Sequence, residues 1–378
     1  MQIGPIQLAT PFCQAGLAGY SDRAMRLVAR RRGCPYAVTE ALLDTILVNG
    51  GQGLRRSIDI NDEDHPIAGQ IIGSDPDTMA QAAVILHRAG YDVIDLNFAC
   101  PVKKIRNKAR GGHMLFDAPR AVSIVKTVRD ALPPHATTTV SLRRGFDESA
   151  ESCERFDEIV ETIWSYRYAA VRVHARTVQQ KYLGPATWPF LRQLKAKYPQ
   201  KTIIGSGDVF TAEDAVAMKQ QTGVDIVWIA RGAIGNPWIF SHAARLLNDP
   251  HARLNPPTPP TIAEQRDALV EHFAIAMQIH GEALAARRMR KMGIKYSRFH
   301  PDAPTVKAGF IAVHSLRDWD AVLHSHYTTN APGVWPRDDA ADEVNAPEEA
   351  AAGGSRQSAV GSKQDPLPSA DCPLPTII

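Results

Sequence analysis

The sequence predicts an α/β fold, a TIM (β/α)8 barrel followed by a small C-terminal all-helical domain and a disordered tail. Three features carry that prediction. Short apolar runs alternate with amphipathic stretches from about residue 12 to 245, giving eight βα units, a number that suits a closed barrel. Four prolines in HARLNPPTPPT then interrupt the alternation near residue 256. Beyond Tyr327 the composition shifts to Ala, Gly, Pro, Ser and acid, which cannot support a packed core.

The expected strands are Phe12–Leu17, Tyr36–Thr39, Ile67–Ile72, Val93–Asn97, Thr138–Arg143, Ala170–His174, Thr202–Gly205 and Asp225–Ala230. Helical patterns lie between them at Pro76–Arg88, Pro119–Leu132, Ser152–Tyr166 and Thr211–Gln220. Two helix starts are marked by Ser74-Asp75-Pro76 and Thr211-Ala-Glu-Asp, where a capping or acidic residue opens the first turn. An open dinucleotide-binding sheet would want GxGxxG after the first strand, and AGLAGYSD is not that motif. The expected division is a barrel over 1–250, a stiff linker over 251–260, a helical domain over 261–327 and an acidic tail over 328–378. Within the helical domain, Ile262–His280 and Ala283–Phe299 read as helices, with two shorter pieces before Tyr327.

Composition narrows the function classes. The 378 residues are 44% hydrophobic and 22% charged, ordinary for a globular protein. No apolar run is long enough for a membrane-spanning helix, and MQIGPIQLAT lacks a secretory pattern. A cytoplasmic monomer without a membrane role is therefore expected. Five scattered cysteines with no CxxC pair argue against a disulfide framework and against a structural metal site. The net charge of +3 conceals an asymmetry. Residues 1–327 carry 40 basic and 32 acidic side chains, whereas the remainder carries 3 and 8. A basic body favours a polyanionic partner.

Catalytic groups of a TIM barrel gather at the C-terminal strand ends, with phosphate commonly bound after strands seven and eight. Read in order, those ends present Gln70, then Asn97-Phe98-Ala99-Cys100-Pro101, then Ser141 and Arg143, then His174 and Arg176. Strand seven ends in Gly205-Ser206-Gly207-Asp208 and strand eight in Ala230-Arg231-Gly232. Glycines there let backbone N–H groups approach an oxyanion. Composition alone leaves the cofactor open.

ATPFCQAGLAGYSDRAMR, GQIIGSDP, DLNFACPVKKIRNKARGG, HARTVQQKYLGPATW, IIGSGDV and IARGAIGNPWIF resemble, in that order, the motifs of the bacterial tRNA-dihydrouridine synthases. The resemblance runs from about residue 2 to 327 and includes RRMRKMGIKY in the helical domain. It implies a barrel that binds FMN, NADPH as reductant, tRNA as partner, and reduction of the uracil C5–C6 double bond. By the same resemblance Gly16, Leu17 and Ala18 lie beside the isoalloxazine, and Gln70 holds its pyrimidine edge. His174 contacts the flavin, and Ser206, Gly207, Asp208, Ala230 and Arg231 hold the phosphate. Cys100 is the expected proton donor, since an ordinary thiol is mostly protonated at neutral pH. Asn97 can hydrogen-bond the uracil or the flavin.

Several positions depart from the family. Ser141 replaces the usual lysine of strand five, Ser206 an asparagine, Ala230 a glycine and Gly16 a proline. Arg172 precedes His174 by two residues, so both side chains face the same side of strand six. A buried arginine is costly unless paired. Arg172 is expected either to reach the space left at Ser141 and supply the missing charge to the cofactor, or to pair with a buried acid such as Asp95.

Two basic runs complete the reading. KKIRNKAR follows the cysteine motif with Lys103, Lys104 and Arg106, and RRMRKMGIKYSR carries Arg287, Arg290 and Lys291 on a helix. Together with Arg176 they are the expected RNA contacts, acting mainly through phosphates. Two alternatives stay open: a redox-impaired RNA-binding homologue, and a flavin-dependent reductase of a small enone or pyrimidine.

Overall fold

The computed structural model describes residues 1–50, 58–106, 108–249, 251–252 and 254–336, except for the side chains of Lys104 and Arg106. Eight parallel strands close into a barrel: β1 Phe12–Gln14, β2 Ala37–Val38, β3 Ile67–Ile72, β4 Val93–Phe98, β5 Thr137–Arg143, β6 Ala170–His174, β7 Thr202–Ser206 and β8 Ile226–Ile229. Each pairs with the next, β8 returns to β1, and β2 pairs with β3. The predicted TIM barrel is the observed one.

Alternation along the strands sorts the interior. Its lower level is apolar, with Ala68, Val93, Ala170, Ile204 and Ile226 buried together. An N-terminal hairpin, Gln2–Ile3 against Ile6–Gln7, stops that end, and Ile3 and Leu8 join the same cluster. A two-residue strand pair leaves no periodic signal, so the hairpin was not legible beforehand. Polar residues fill the other end of the barrel, among them Gln70, Asp95, Ser141, Arg172 and His174.

The strand boundaries differ where side chains or loops take over the pairing. β1 stops at Gln14, although Ala15 N–H still reaches the Ile229 carbonyl. The chain then turns at Gly16, against the Thr39 carbonyl. β8 begins at Ile226 because the Asp225 carboxylate is committed to Lys195 and to Ile203 N–H. The expected helix starts hold: Asp75 caps Pro76–Arg88, and Thr211 forms a capping box with Asp214, each cap contributing roughly 1 kcal/mol.

Helices Ile262–His280 and Glu282–Tyr296, followed by Ala303–Ile311 and Leu316–His326, enclose an aromatic core. Trp319 lies 4.8 Å from Phe273 and 5.0 Å from Phe310 between ring centroids. Trp238 of the barrel packs edge-on against Tyr296 and Phe299, and Arg298 donates to the Ile234 carbonyl. The chain remains attached past residue 327. Ala331 accepts from Ile262 N–H, Val334 N–H donates to Phe299, and Trp335 packs against His242. Residues 337–378 of the expected tail lie outside the described set. No described helix is long and apolar enough to cross a membrane.

Candidate active site

The site lies at the C-terminal mouth of the barrel and begins with a buried carboxylate. Asp95 on β4 accepts hydrogen bonds from Thr139, Ser141 and Gln70, at 2.6, 2.7 and 2.7 Å. Gln70 in turn accepts from Asn97 Nδ2 at 2.7 Å. Asn97 Oδ1 then receives both Ala99 N–H and Cys100 N–H at 3.0 Å. The relay thus converts a carboxylate in the barrel wall into a fixed backbone position for Cys100. Each polar atom in it has a partner, as burial demands.

Two further contacts hold the cysteine loop. Arg143 Nε donates to the Ala99 carbonyl, and Gly112 N–H donates to the Cys100 carbonyl. Burial raises the Cys100 thiol above its ordinary range; a backbone hydrogen bond from Val102 and the charge of Arg143 oppose the shift. The thiol therefore keeps its proton at neutral pH.

Across the mouth the site is strongly basic. His174 is held neutral, its pKa driven well down by burial and then by Arg143, Arg176, Arg172 and Arg231. Its Nδ1 is buried without a hydrogen-bond partner. Asp208 serves two of these arginines, accepting from Arg176 at 2.7 Å and from Arg231 at 3.1 Å. It also accepts from Ala186 N–H at 2.7 Å. Gly207 and Asp208 have φ of 127° and 53°, so the end of β7 turns sharply beside Ser206. Successive backbone N–H groups in such a turn can form an anion-binding concavity.

Asp208 can meet an anion only through its backbone, since its carboxylate is already engaged. Arg176 departs from its expected place among RNA contacts: it is 3% exposed and tied to Gly184 and Asp208. An Asp208→Asn variant keeps a residue type that tolerates positive φ but removes the Asp208 carboxylate from both guanidinium groups. Unfolding free energy should fall by about 1–3 kcal/mol, with part recovered by added inorganic phosphate. Urea melts with and without phosphate provide the check.

Arg172 does not take the expected pairing with Asp95. Its guanidinium lies 3.9 Å over the Trp228 ring, on the strand position that pairs with Ser141, and among the described residues it forms no hydrogen bond to Asp95. Residues missed in the sequence complete the mouth. Tyr182, 48% exposed, lies near the guanidinium groups of Arg143 and Arg231. The aromatic in the otherwise polar QQKYLGP loop was its signal. Leu17 N–H is tied to Ser21 Oγ, and Ala18 follows in the same loop over β1.

Of the basic runs, Lys103 is exposed after β4 and Arg287 is exposed on helix Glu282–Tyr296. Lys291 sits 3.5 Å over the Tyr20 ring, and Arg288 reaches Asp22, so this helix borders the loop after β1. The two runs therefore border different strand ends of one mouth.

The dihydrouridine synthase (Dus) profile matches residues 13–331. The chain belongs to the dihydrouridine synthase family. This membership makes it an oxidoreductase that acts on uridine. It is 32% identical over 336 residues to tRNA-dihydrouridine synthase B of Xanthomonas campestris pv. campestris, covering 89% of this chain and 98% of that one. It is also 32% identical over 291 residues to tRNA-dihydrouridine synthase B of Shewanella oneidensis, covering 77% and 87%. A solved 2-naphthoyl-CoA reductase shares the fold, with a TM-score of 0.52 at 12% identity over 65% of this chain and 51% of that one.

Proposed function

We propose that this dihydrouridine synthase reduces the C5–C6 double bond of uridines in tRNA, with FMN in the barrel mouth, NADPH as reductant and Cys100 as proton donor. The observation that carries the reading is the relay from Asp95 through Gln70 and Asn97, which fixes the loop of a protonated thiol beside Arg143 at a cation-rich mouth. The residues suit a planar, phosphate-bearing cofactor. The orphaned His174 Nδ1 and Arg176 Nη1 offer polar atoms in a wall with a surplus of positive charge. Ser206, Gly207 and Arg231 would hold its phosphate, with Gly16, Leu17, Ala18 and Gln70 around its ring.

A bound flavin supplies hydride to C6 of the base. The protein's own part is at C5. Cys100 passes its proton to the carbon where negative charge collects, and Arg143 steadies the thiolate that remains. Asn97 holds the loop so that the thiol need not reorganise. The target base must leave its stack to enter the mouth, while Lys103, Lys104, Arg106, Arg287, Arg290 and Lys291 would bind neighbouring phosphates.

The test uses purified full-length protein and an unmodified tRNA transcript. The visible flavin band should bleach anaerobically with NADPH and return on addition of tRNA, with dihydrouridine detected in the RNA. A protein that stays colourless when FMN is supplied, yet still binds tRNA, would replace this reading with that of a redox-impaired RNA-binding homologue.

A further inference from the structure

Arg172 is a rare kind of buried cation. It is 8% exposed, and among the described residues its Nε has no hydrogen-bond partner and no carboxylate lies within salt-bridge distance. Its neighbour across the β5–β6 ladder is Ser141, which donates to Asp95 and carries no charge. One face of the guanidinium rests on Trp228, whose indole N–H is anchored at 2.7 Å to the Gln14 carbonyl. The aromatic face lowers the cost of burying the cation and fixes its position, but it does not neutralise the charge. Burial brings the Arg172 pKa down to about 10, so the group remains positive at neutral pH.

An uncompensated buried charge of this kind normally costs several kcal/mol. It persists where a ligand of opposite charge completes it. Among the described residues the groups that act to keep Arg172 charged are Asp95 and Tyr36, and Asp208 at the end of β7 is already shared by Arg176 and Arg231. The other charged groups around His174 are the arginines Arg143, Arg176 and Arg231. The missing counter-charge must therefore come from the mouth itself.

We propose that Arg172, propped on Trp228, supplies the positive charge that stabilises the negative charge a bound flavin gains on two-electron reduction, in place of any cation at Ser141. The assignment rests on the flavin reading above. It makes β6 and β8, rather than β5, the source of the electrostatic control of the cofactor. Oxidised flavin is neutral in its ring, so Arg172 binds the reduced form preferentially and raises its midpoint potential.

The experiment measures FMN affinity by fluorescence quenching and the midpoint potential by dye-coupled anaerobic titration. The proteins compared are the wild type, Arg172→Thr, Arg172→Lys and the double variant Ser141→Lys/Arg172→Thr. Loss of the cation in Arg172→Thr should weaken binding of the reduced flavin relative to the oxidised form about tenfold, equivalent to roughly 30 mV lower potential. Arg172→Lys should retain most of the wild-type potential, and the double variant should regain it. A merely structural arginine would not be rescued by a lysine placed on another strand. Equal potentials in the wild type and Arg172→Thr overturn the assignment while leaving the flavin reading intact. If Arg172→Thr does not fold, a double variant with a potential as low as that of free FMN overturns it equally. A wild type that binds no FMN removes both readings.

Discussion

Replacing Cys100 by Ala should lower dihydrouridine formation by about 10²- to 10⁴-fold, the range for loss of a positioned proton donor, while NADPH still bleaches the flavin. The two half-reactions separate because the Asp95 relay ends on the Cys100 backbone and not on its thiol. Its backbone N–H, not its sulfur, donates to the Asn97 oxygen. The pH profile follows from the same environment. Burial raises the thiol's pKa, so the donor form dominates below that raised value and disappears as pH climbs through it. The alkaline limb of kcat should lie above the ordinary thiol range and vanish in Cys100→Ala. A variant that keeps wild-type turnover in single-turnover assays of reduced enzyme with tRNA would remove Cys100 from the chemistry.

Gly16→Pro, which would install the residue usual in the family, should be harmful. A side chain at Gly16 would overlap the Thr39 carbonyl oxygen, which is backbone and cannot rotate aside. Thr39 is itself pinned, with its N–H on Ala68 and its hydroxyl accepting from Gln70 N–H. The first loop would have to lift off the barrel, taking Leu17 and Ala18 with it. Overpacking of this kind costs about 1–3 kcal/mol, and FMN affinity should fall as well. Thermal melts and flavin titrations of Gly16→Ala and Gly16→Pro are the measurements. Unchanged melting and affinity in both variants would show that the loop is free to move.

The contrast shows which parts of this molecule can be read from residues in a row. β3 and β6 emerge with their expected bounds because unbroken apolar or alternating runs define them. Helices Pro76–Arg88 and Ile262–His280 do so because capping residues mark their starts. Cys100, Asn97 and Gln70 were legible as strand-end residues. Their linkage was not, since it depends on Asp95 facing inward beside them. Arg176 and Asp208 are 32 positions apart in the chain; the sequence assigns one to RNA and the other to phosphate, and the fold joins them in one ion pair. Trp228 sits within the apolar run IVWI, and alternation gives its direction but not the guanidinium that lies on it. The attachment of residues 331–336 was hidden by composition: small residues and proline suggest a tail, whereas Gly333 fits closely against the Pro260 carbonyl.

The N-terminal hairpin that stops the lower end of the barrel has a kinetic consequence. Under the proposed function, with that end plugged, the nicotinamide donor and the RNA base would reach a bound flavin through the same opening. Neither can occupy it while the other is there. The expected order of events is then a double displacement: reductant in and oxidised product out, followed by RNA in and modified RNA out. Initial-rate plots at several fixed concentrations of the second substrate would run parallel, and an excess of either substrate would slow turnover by occupying the wrong form of the enzyme.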